Sequence, residues 1–342
     1  MKDYVNWAIL APGHVANSMA KAMAECAKTR DNIRLYAVAS RSVIRAENFA
    51  KQWGFLKFYG DYDKLATDPR VDAVYVANPH ALHFDTVMKL LENGKHVLCE
   101  KPAGINLDQL LTMIDKSEEK SVFFMEAMWS AFNPTLHKVR QYVNSGKLGK
   151  LQHIESKFCK RFEYNKETRI WDPKLGGGAL LDLGIYNLFL AMFMNNFTGI
   201  EYFSSDVRFK NNVDAWNCVN INFSNKVTTT FQSSIDIPSD SPTYDATIYC
   251  SKGFITLKDF HRAEKAEIHK YTDVEGNEST IIKTIEEPFM VNGYEYELLD
   301  VNKQILTGYI ESDIYTHIQS IYLASVLNDL REQWNFKYPF EK

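Results

Sequence analysis

The chain has 342 residues, more than one hydrophobic core usually covers, so two domains are expected. Hydrophobic residues make up 45% and charged residues 24%, ordinary for a globular protein, while aromatics at 13% point to a large core or an aromatic-lined pocket. A net charge of −4 and an isoelectric point near 6.2 lack the basic stripe of a nucleic-acid binder.

The apolar stretch that opens the chain is short and runs straight into Gly13, which is not the pattern of a signal peptide. No uninterrupted run approaches the ~18 apolar residues of a membrane span, so none is expected. Residues 1–125 alternate short apolar runs with helical patterns, as parallel βαβ units do. Strands are predicted at Trp7 to Leu10, Arg34 to Ala39, Ala73 to Ala77, His96 to Cys99 and Val122 to Met125. Helices are predicted at His14 to Lys28, Ser42 to Trp53, Asp61 to Ala66, Ala81 to Asn93 and Leu107 to Glu119. Strands this short and this apolar suit a sheet covered on both faces.

The pattern changes after residue 126. A helix is predicted over Pro134 to Ser145, followed by longer alternating runs. These are Leu151 to Phe162, Tyr202 to Phe209, Ala215 to Phe223, Val227 to Ile235, Thr243 to Cys250 and Gly253 to Lys258, read as antiparallel strands. A helix at Ala179 to Met194 interrupts them and a long one at Asp313 to Gln333 ends the chain. Five scattered cysteines, Cys26, Cys99, Cys159, Cys218 and Cys250, form no CxxC pair and no zinc spacing, which suits reduced thiols and a cytoplasmic location.

Residues 9–16 read Ile-Leu-Ala-Pro-Gly-His-Val-Ala, where a glycine-rich phosphate loop belongs. Ala11 stands at the first glycine position of the G-x-G-x-x-G/A fingerprint, Gly13 at the second and Ala16 at the third. Gly13 lets the backbone approach a pyrophosphate at a helix N-terminus, with Ala11, His14 and Val15 completing the turn. Ala11 can serve only if it keeps φ negative. An ordinary βα turn with one glycine has the same outline. At the end of the second strand, Ala39-Ser40-Arg41-Ser42 stands where an NAD site carries Asp or Glu for the ribose 2′-hydroxyl. The Ser40 hydroxyl and the Arg41 guanidinium suit a 2′-phosphate, so NADP is the expected cofactor and NAD the alternative. The plainer alternative is a surface arginine opening a helix capped by Ser40.

Glu100-Lys101-Pro102 closes the fourth strand, at the edge of the sheet where ligands of open α/β folds sit. A lysine there can donate to a substrate oxygen as charge develops, although a solvated Glu-Lys pair is the commoner arrangement. Gly176-Gly177-Gly178 reads as a flexible, close-approach loop at a helix start. Asp182 and Tyr186, four apart, share one helical face on an otherwise apolar helix. Either alone reads equally well as a buried tyrosine or a capping aspartate.

These blocks resemble the Gfo/Idh/MocA oxidoreductases, most closely the branch of dimeric dihydrodiol dehydrogenases and NADP-linked xylose or anhydrofructose-type reductases. The resemblance runs over nearly the whole chain. It is carried by residues 11–16, Asn78-Pro79-His80 with His83, residues 94–102, residues 125–129 with Asn133-Pro134, residues 176–186 and Tyr294-Glu295-Tyr296-Glu297. It implies a Rossmann domain at residues 1–126. A substrate-binding and dimerisation domain follows at 127–342, α+β with a large, mostly antiparallel open sheet. It implies hydride transfer between nicotinamide and a sugar, polyol or dihydrodiol. By position, Lys101, Asp182 and Tyr186 become the catalytic residues, converging beside the nicotinamide. Tyr186 is the general acid or base, its phenol made more acidic by Lys101. Asn78, Pro79 and His83 line the nicotinamide pocket, with Glu100 and Lys101 beside it. Trp129, Arg169, Asp182 and Tyr186 contact substrate. Ala131 departs from the arginine this branch often carries. No metal is expected, since His80 and His83 lack further ligands nearby. A homodimer or higher homo-oligomer is expected, with Val219, Ile221, Phe223, Phe231 and Ile235 as its apolar face. The alternatives are a non-catalytic dinucleotide-binding regulator, or a biliverdin-type reductase or inositol dehydrogenase. The inositol enzymes typically carry Asp at the end of the second strand and His at the Tyr186 position, unlike this chain.

Overall fold

A computed structural model of the chain describes residues 3–238 and 244–341 and divides into two compact units. One unit comprises Met1–Phe132 and Met290–Ser325, the other Asn133–Phe289 and Val326–Lys342. The single boundary expected at 126/127 is therefore corrected: the chain returns to its first unit after residue 289. Helical periodicity marks an apolar face but not which sheet that face covers, so the return was not legible.

The first unit is built on β1 (Val5–Leu10), α1 (His14–Ala27), β2 (Ile33–Ala39), α2 (Val43–Trp53), β3 (Lys57–Tyr59), α3 (Tyr62–Ala66), β4 (Ala73–Val76), α4 (His83–Glu92), β5 (His96–Glu100), α5 (Leu107–Lys120) and β6 (Phe124–Ala127). Six parallel strands lie in the order β3-β2-β1-β4-β5-β6. All of β1, β4 and β6 is buried, as short apolar strands between two helical layers must be. Ser42, not Ser40, caps α2, its hydroxyl accepting from Arg45 N–H at 3.4 Å. Ser40 is buried, and its hydroxyl accepts from Ser42 N–H at 3.3 Å.

The second unit begins with α6 (Pro134–Asn144), opened by an Asn133 cap and a proline at its first position. It continues with β7 (Leu151–Cys159), α7 (Ile185–Met194), β8 (Ile200–Lys210), β9 (Val213–Phe223), β10 (Thr228–Ser234), β11 (Ala246–Cys250), β12 (Gly253–Leu257), β13 (Lys265–Tyr271) and β14 (Ser279–Glu286). Thr243, the first residue of the strand predicted before Cys250, lies outside the described residues. The strands form one sheet in the order β14-β13-β12-β11-β7-β10-β9-β8, antiparallel except between β7 and β10. Strands β13 and β14 were not anticipated, because charged residues interrupt their alternation and β14 is an exposed edge. Two helices follow, α8 (Tyr294–Thr307) and α9 (His317–Gln333). The unanticipated α8 packs on α1 and β1, where Trp7 Nε1 donates to Asn302 Oδ1 at 3.0 Å.

One expectation about apolar surface is corrected. Val219, Ile221, Phe223, Phe231 and Ile235 are fully buried within one chain. Their face of the sheet is covered by α7, which is buried along its whole length and packs on β7 and β10. The period-2 pattern identified the inward face but not what covered it. The segment Pro173–Met194 is long and apolar enough to cross a membrane, with an 18-residue stretch of mean hydropathy 1.5, yet 94% of that stretch is buried inside the fold. It is a core helix.

Ala11, expected at negative φ, sits at φ +67°. Its N–H donates to Ala39 O at 2.9 Å, so the chain turns sharply away from the sheet right after β1. A left-handed alanine costs about 1–2 kcal/mol, because Cβ crowds the following carbonyl. Glycine would relieve this and lose part of the gain to extra freedom in the unfolded chain, about 0.4–1 kcal/mol. Ala11→Gly is therefore expected to raise the calorimetric melting temperature by about 1–3 °C. A lower melting temperature would argue that the side chain packs better than its backbone is strained.

Candidate active site

Parallel strands send their carboxyl ends to one edge. Leu10, Ala39, Val76 and Glu100 end β1, β2, β4 and β5 there, and the predicted dinucleotide residues follow them in the connecting loops. Gly13 has φ −122°, a conformation any residue adopts, and a Cβ built on it would meet only Ala11 O, at 3.9 Å. Neither backbone nor packing therefore requires glycine. The bare backbone faces open space at the start of α1, and no side chain caps that helix. Unclaimed N–H groups and open approach fit a dinucleotide pyrophosphate. His14 is exposed and Val15 half-buried at the same turn. At the end of β2, Arg41 is exposed, and its charge acts with that of Arg45 on Tyr62. Burial pushes the Tyr62 phenol up while the two guanidiniums pull it down. Arg45 is a second cation beside Tyr62 that the sequence reading missed; its signal was the spacing of four from Arg41.

Lys101 is buried, with 7% of its surface exposed, so it is not a solvated lysine. The Lys101–Pro102 bond is cis. Glu126, at the end of β6, is also buried and accepts from Ala103 N–H at 2.9 Å, Tyr315 Oη at 2.9 Å and Ser320 Oγ at 2.7 Å. Burial pushes its carboxyl up, while these bonds and the Lys101 ammonium hold it down. Glu126 thus anchors the loop that carries Lys101. Tyr75 Oη donates to Glu100 Oε1. Glu297 is fully buried, and neither carboxyl oxygen has a hydrogen-bond partner among the described residues. Burial, with the Glu100 charge second, drives it well above the usual carboxylate range.

Asn78 is buried and donates to Thr86 Oγ1 at 2.8 Å and Leu82 O at 3.3 Å, closing its own turn before α4. Pro79 follows it and precedes a short 3-10 turn at His80–Leu82. His83 does not line a surface, contrary to expectation. It is fully buried, with Nδ1 2.8 Å from Pro102 O and Nε2 2.7 Å from Asn78 O. Its ring joins the loop after β4 to the loop after β5, so its nitrogens are committed to backbone rather than cofactor. Trp129 stacks on Tyr294, ring centroids 4.5 Å apart. Ala131 is buried.

In the second unit, Arg169 and Asp182 meet: guanidinium Nη2 donates to Asp182 Oδ1 at 3.2 Å and Oδ2 at 3.3 Å. Asp182 is therefore held by an arginine of its own unit. Tyr186 is 8% exposed, with its ring against Phe158 and His261 at 5.7 and 5.6 Å. The predicted helix opens instead as a π-turn over Leu180–Gly184, which carries Asp182, before α7 carries Tyr186. Such turns are rare and recur at functional sites.

The three glycines are not a flexible loop. A Cβ on Gly177 would strike Ile170 O at 2.6 Å and Arg169 O at 2.7 Å. One on Gly178 would lie 2.1 Å from Asp214 Oδ1. Gly176 and Gly178 have φ +74° and +125°, which favour glycine. Asp214 is buried and accepts from Leu180 N–H at 2.6 Å and Asn217 Nδ2 at 3.0 Å, both through Oδ2. Burial pushes its carboxyl up to about 7, against the pull of these bonds. The sequence reading missed Asp214. Its signal was one acidic residue in the otherwise apolar opening Val213-Asp214-Ala215 of a strand.

Comparison with known proteins identifies the family. Residues 7–128 match the model of the GFO_IDH_MocA oxidoreductase family, NAD-binding Rossmann fold, and residues 136–256 match the GFO/IDH/MocA C-terminal domain. The chain is 30% identical to the trans-1,2-dihydrobenzene-1,2-diol dehydrogenase of Xenopus laevis and 29% identical to that of Xenopus tropicalis. Both matches span 97% of this chain and 99% of the relative. A 3-ketoreductase from Actinomadura kijaniata, solved with NADP and TDP-benzene, superposes with a TM-score of 0.85 at 20% identity, covering 96% of this chain and 97% of that one. Levoglucosan dehydrogenase, solved with NADH and L-sorbose, superposes at 0.84 with 16% identity, covering 97% and 96%.

Asp214 makes stability depend on pH. Its folded-state value of about 7 lies above the ordinary 3.8, so the fold favours the protonated form. That contribution is complete below pH 3.8 and is lost as pH rises to about 7. Asp214→Asn keeps an oxygen acceptor and cannot ionise. Its melting temperature relative to the parent should climb from pH 4 to pH 8. A difference that is flat with pH would remove Asp214 from the titration.

Proposed function

The chain belongs to the GFO/IDH/MocA oxidoreductase family and is an NAD(P)-dependent dehydrogenase or reductase acting on CH–OH groups, and from that premise we propose that it uses NADP to oxidise a dihydrodiol or sugar hydroxyl, or to reduce the matching carbonyl. The observation that carries the reading is the carboxyl edge of the parallel sheet. An uncovered Gly13 backbone and a buried Lys101 stand on that one edge. Full-length similarity to dihydrodiol dehydrogenases supports the substrate class. The absence of Asp or Glu after β2, together with Arg41 and Arg45, supports NADP over NAD.

When bound, the dinucleotide supplies or accepts the hydride at its nicotinamide. The chain's own residues do the rest. Gly13, His14 and Val15 present N–H groups to the pyrophosphate. Arg41, with Ser40 beneath it and Arg45 beside it, holds the 2′-phosphate. Lys101 donates to the substrate oxygen as charge changes there. Tyr186 gives or takes the hydroxyl proton, and Asp182, oriented by Arg169, holds a neighbouring substrate hydroxyl. Trp129 flanks the substrate. Assembly as a homodimer is part of this reading. The apolar face is covered by α7, so the pairing surface is the opposite face. There a row of half-buried rings runs from His153 through Tyr249 and Phe254 to His269, with Phe254 and His269 stacked at 4.4 Å. Five free cysteines suit the cytoplasm.

A spectrophotometric screen of NADP⁺ and NAD⁺ against trans-dihydrodiols, aldoses and inositols tests the substrate class. Turnover of inositols with NAD⁺ alone would reject it. Arg41→Ala should weaken NADP⁺ but not NAD⁺, by about 1–3 kcal/mol, and equal weakening of both would sink the 2′-phosphate assignment. Lys101→Met should lower kcat while leaving dinucleotide affinity intact, and Tyr186→Phe should cost about 10²-fold in kcat. A Tyr186→Phe enzyme with half the parent kcat would take the phenol out of the chemistry. Light scattering at micromolar concentration should return a dimer mass; a monomer would refute the open-face pairing.

A further inference from the structure

The helix start that follows the glycine loop is held by one buried side chain, Asp214. The loop enters the π-turn Leu180–Gly184, and the first amide of that turn, Leu180 N–H, ends on Asp214 Oδ2 at 2.6 Å. A Cβ on Gly178 would lie 2.1 Å from Asp214 Oδ1, so glycine is required there. Gly177 lets the Arg169–Ile170 backbone pass in contact, and Arg169 then reaches Asp182 at 3.2 Å. Tyr338, itself buried, donates to Gly177 O at 2.7 Å and holds the loop from its other side. The loop is thus a shaped plug around a carboxyl group. A helix start held by a buried acceptor is defined to within one residue, because the first orphan N–H has a single place to go. A π-turn needs that definition more than an α-turn does, since its i→i+5 pattern competes with the ordinary helix at the same residues. Relaxing Leu180–Gly184 to an α-turn would rotate Asp182 about the helix axis relative to Tyr186.

We propose that Asp214 is a positioning residue for the reaction: by holding Leu180 N–H behind the glycine loop, it sets the π-turn that aims Asp182 and, through α7, Tyr186 at the substrate. The inference rests on the reading of Asp182 and Tyr186 as substrate-facing. It assigns the third glycine to Asp214 rather than to a ligand. It requires an acceptor at that point, not a charge.

The test compares Asp214→Ala with Asp214→Asn, assayed with NADP⁺ and the fastest substrate among trans-1,2-dihydrobenzene-1,2-diol, D-xylose and myo-inositol. NADPH affinity is read separately by fluorescence titration. Asp214→Ala should lower kcat about tenfold and raise the substrate KM, with the NADPH Kd within about twofold of the parent. Asp214→Asn, which keeps the acceptor, should restore kcat to within about threefold. An alanine variant with parent kcat and KM but a lower melting temperature would overturn the proposal and leave Asp214 as scaffold. So would an asparagine variant as impaired as alanine. If Asp214→Ala does not fold, Asn217→Ala removes the second partner of the same oxygen. It should then lower kcat several-fold in a folded protein, and unchanged kinetics would overturn the proposal. Asp182→Ala and Tyr186→Phe run in the same assay separate the two readings. If both are silent, the substrate-facing helix itself is wrong. If both are impaired while Asp214→Ala is not, only the role of Asp214 falls.

Discussion

Parallel strands must all end on the same edge of a sheet, and each must be reached by a crossover on one of its faces. That constraint gathers residues far apart in the chain after β1, β2, β4 and β5. It also requires both faces of the sheet to be covered, which is why β1 and β4 are buried throughout. At that edge the α1 start carries no side-chain cap, and its backbone is open to approach. A dinucleotide site needs both, and Gly13 supplies the second by being smaller than its surroundings demand.

Each unit has its own buried acids, and their bonds explain how the loops of that unit keep their shape. Glu126 holds the Ala103 amide of the loop that carries Lys101. Asp214 holds the Leu180 amide of the turn that carries Asp182. In each unit one buried carboxyl group claims a backbone N–H that would otherwise be free to point elsewhere. Burying a carboxyl group is costly unless it is bonded or protonated, so such residues persist where the geometry they impose outweighs the penalty. Glu297 shows the other solution. With neither oxygen bonded among the described residues, burial and the Glu100 charge push its carboxyl well above the usual carboxylate range, which favours the protonated form. His83 plays the matching part with its two ring nitrogens, each set against a backbone carbonyl.

Local pattern and distant packing divided the predictive work. The alternation of short apolar runs with helical segments located five of the six parallel strands, missing the three-residue β3, and nearly all of the unit's helices. The contrast between unbroken and alternating runs located the change of architecture after residue 126. Glycine spacing at Gly13 and at residues 176–178 marked both loops. The Gly176–Gly178 loop was nonetheless misread as mobile, because a glycine that serves packing and a glycine that serves a ligand are the same letter. Only the atoms a Cβ would strike tell them apart, and those belong to Arg169, Ile170 and Asp214.

The sequence by itself determined the two architectures and the strand ends after which Gly13, Arg41 and Lys101 fall, because period and turn chemistry are local properties. Only the tertiary structure decided which side of the second sheet is open, that residues 290–325 return to the first unit, that Ala11 takes a left-handed backbone, and that His83 is a buried bridge. Each of these depends on contacts between segments tens to hundreds of residues apart. A residue's pattern shows that it will be buried or will need a partner, but the partner is chosen by the fold as a whole.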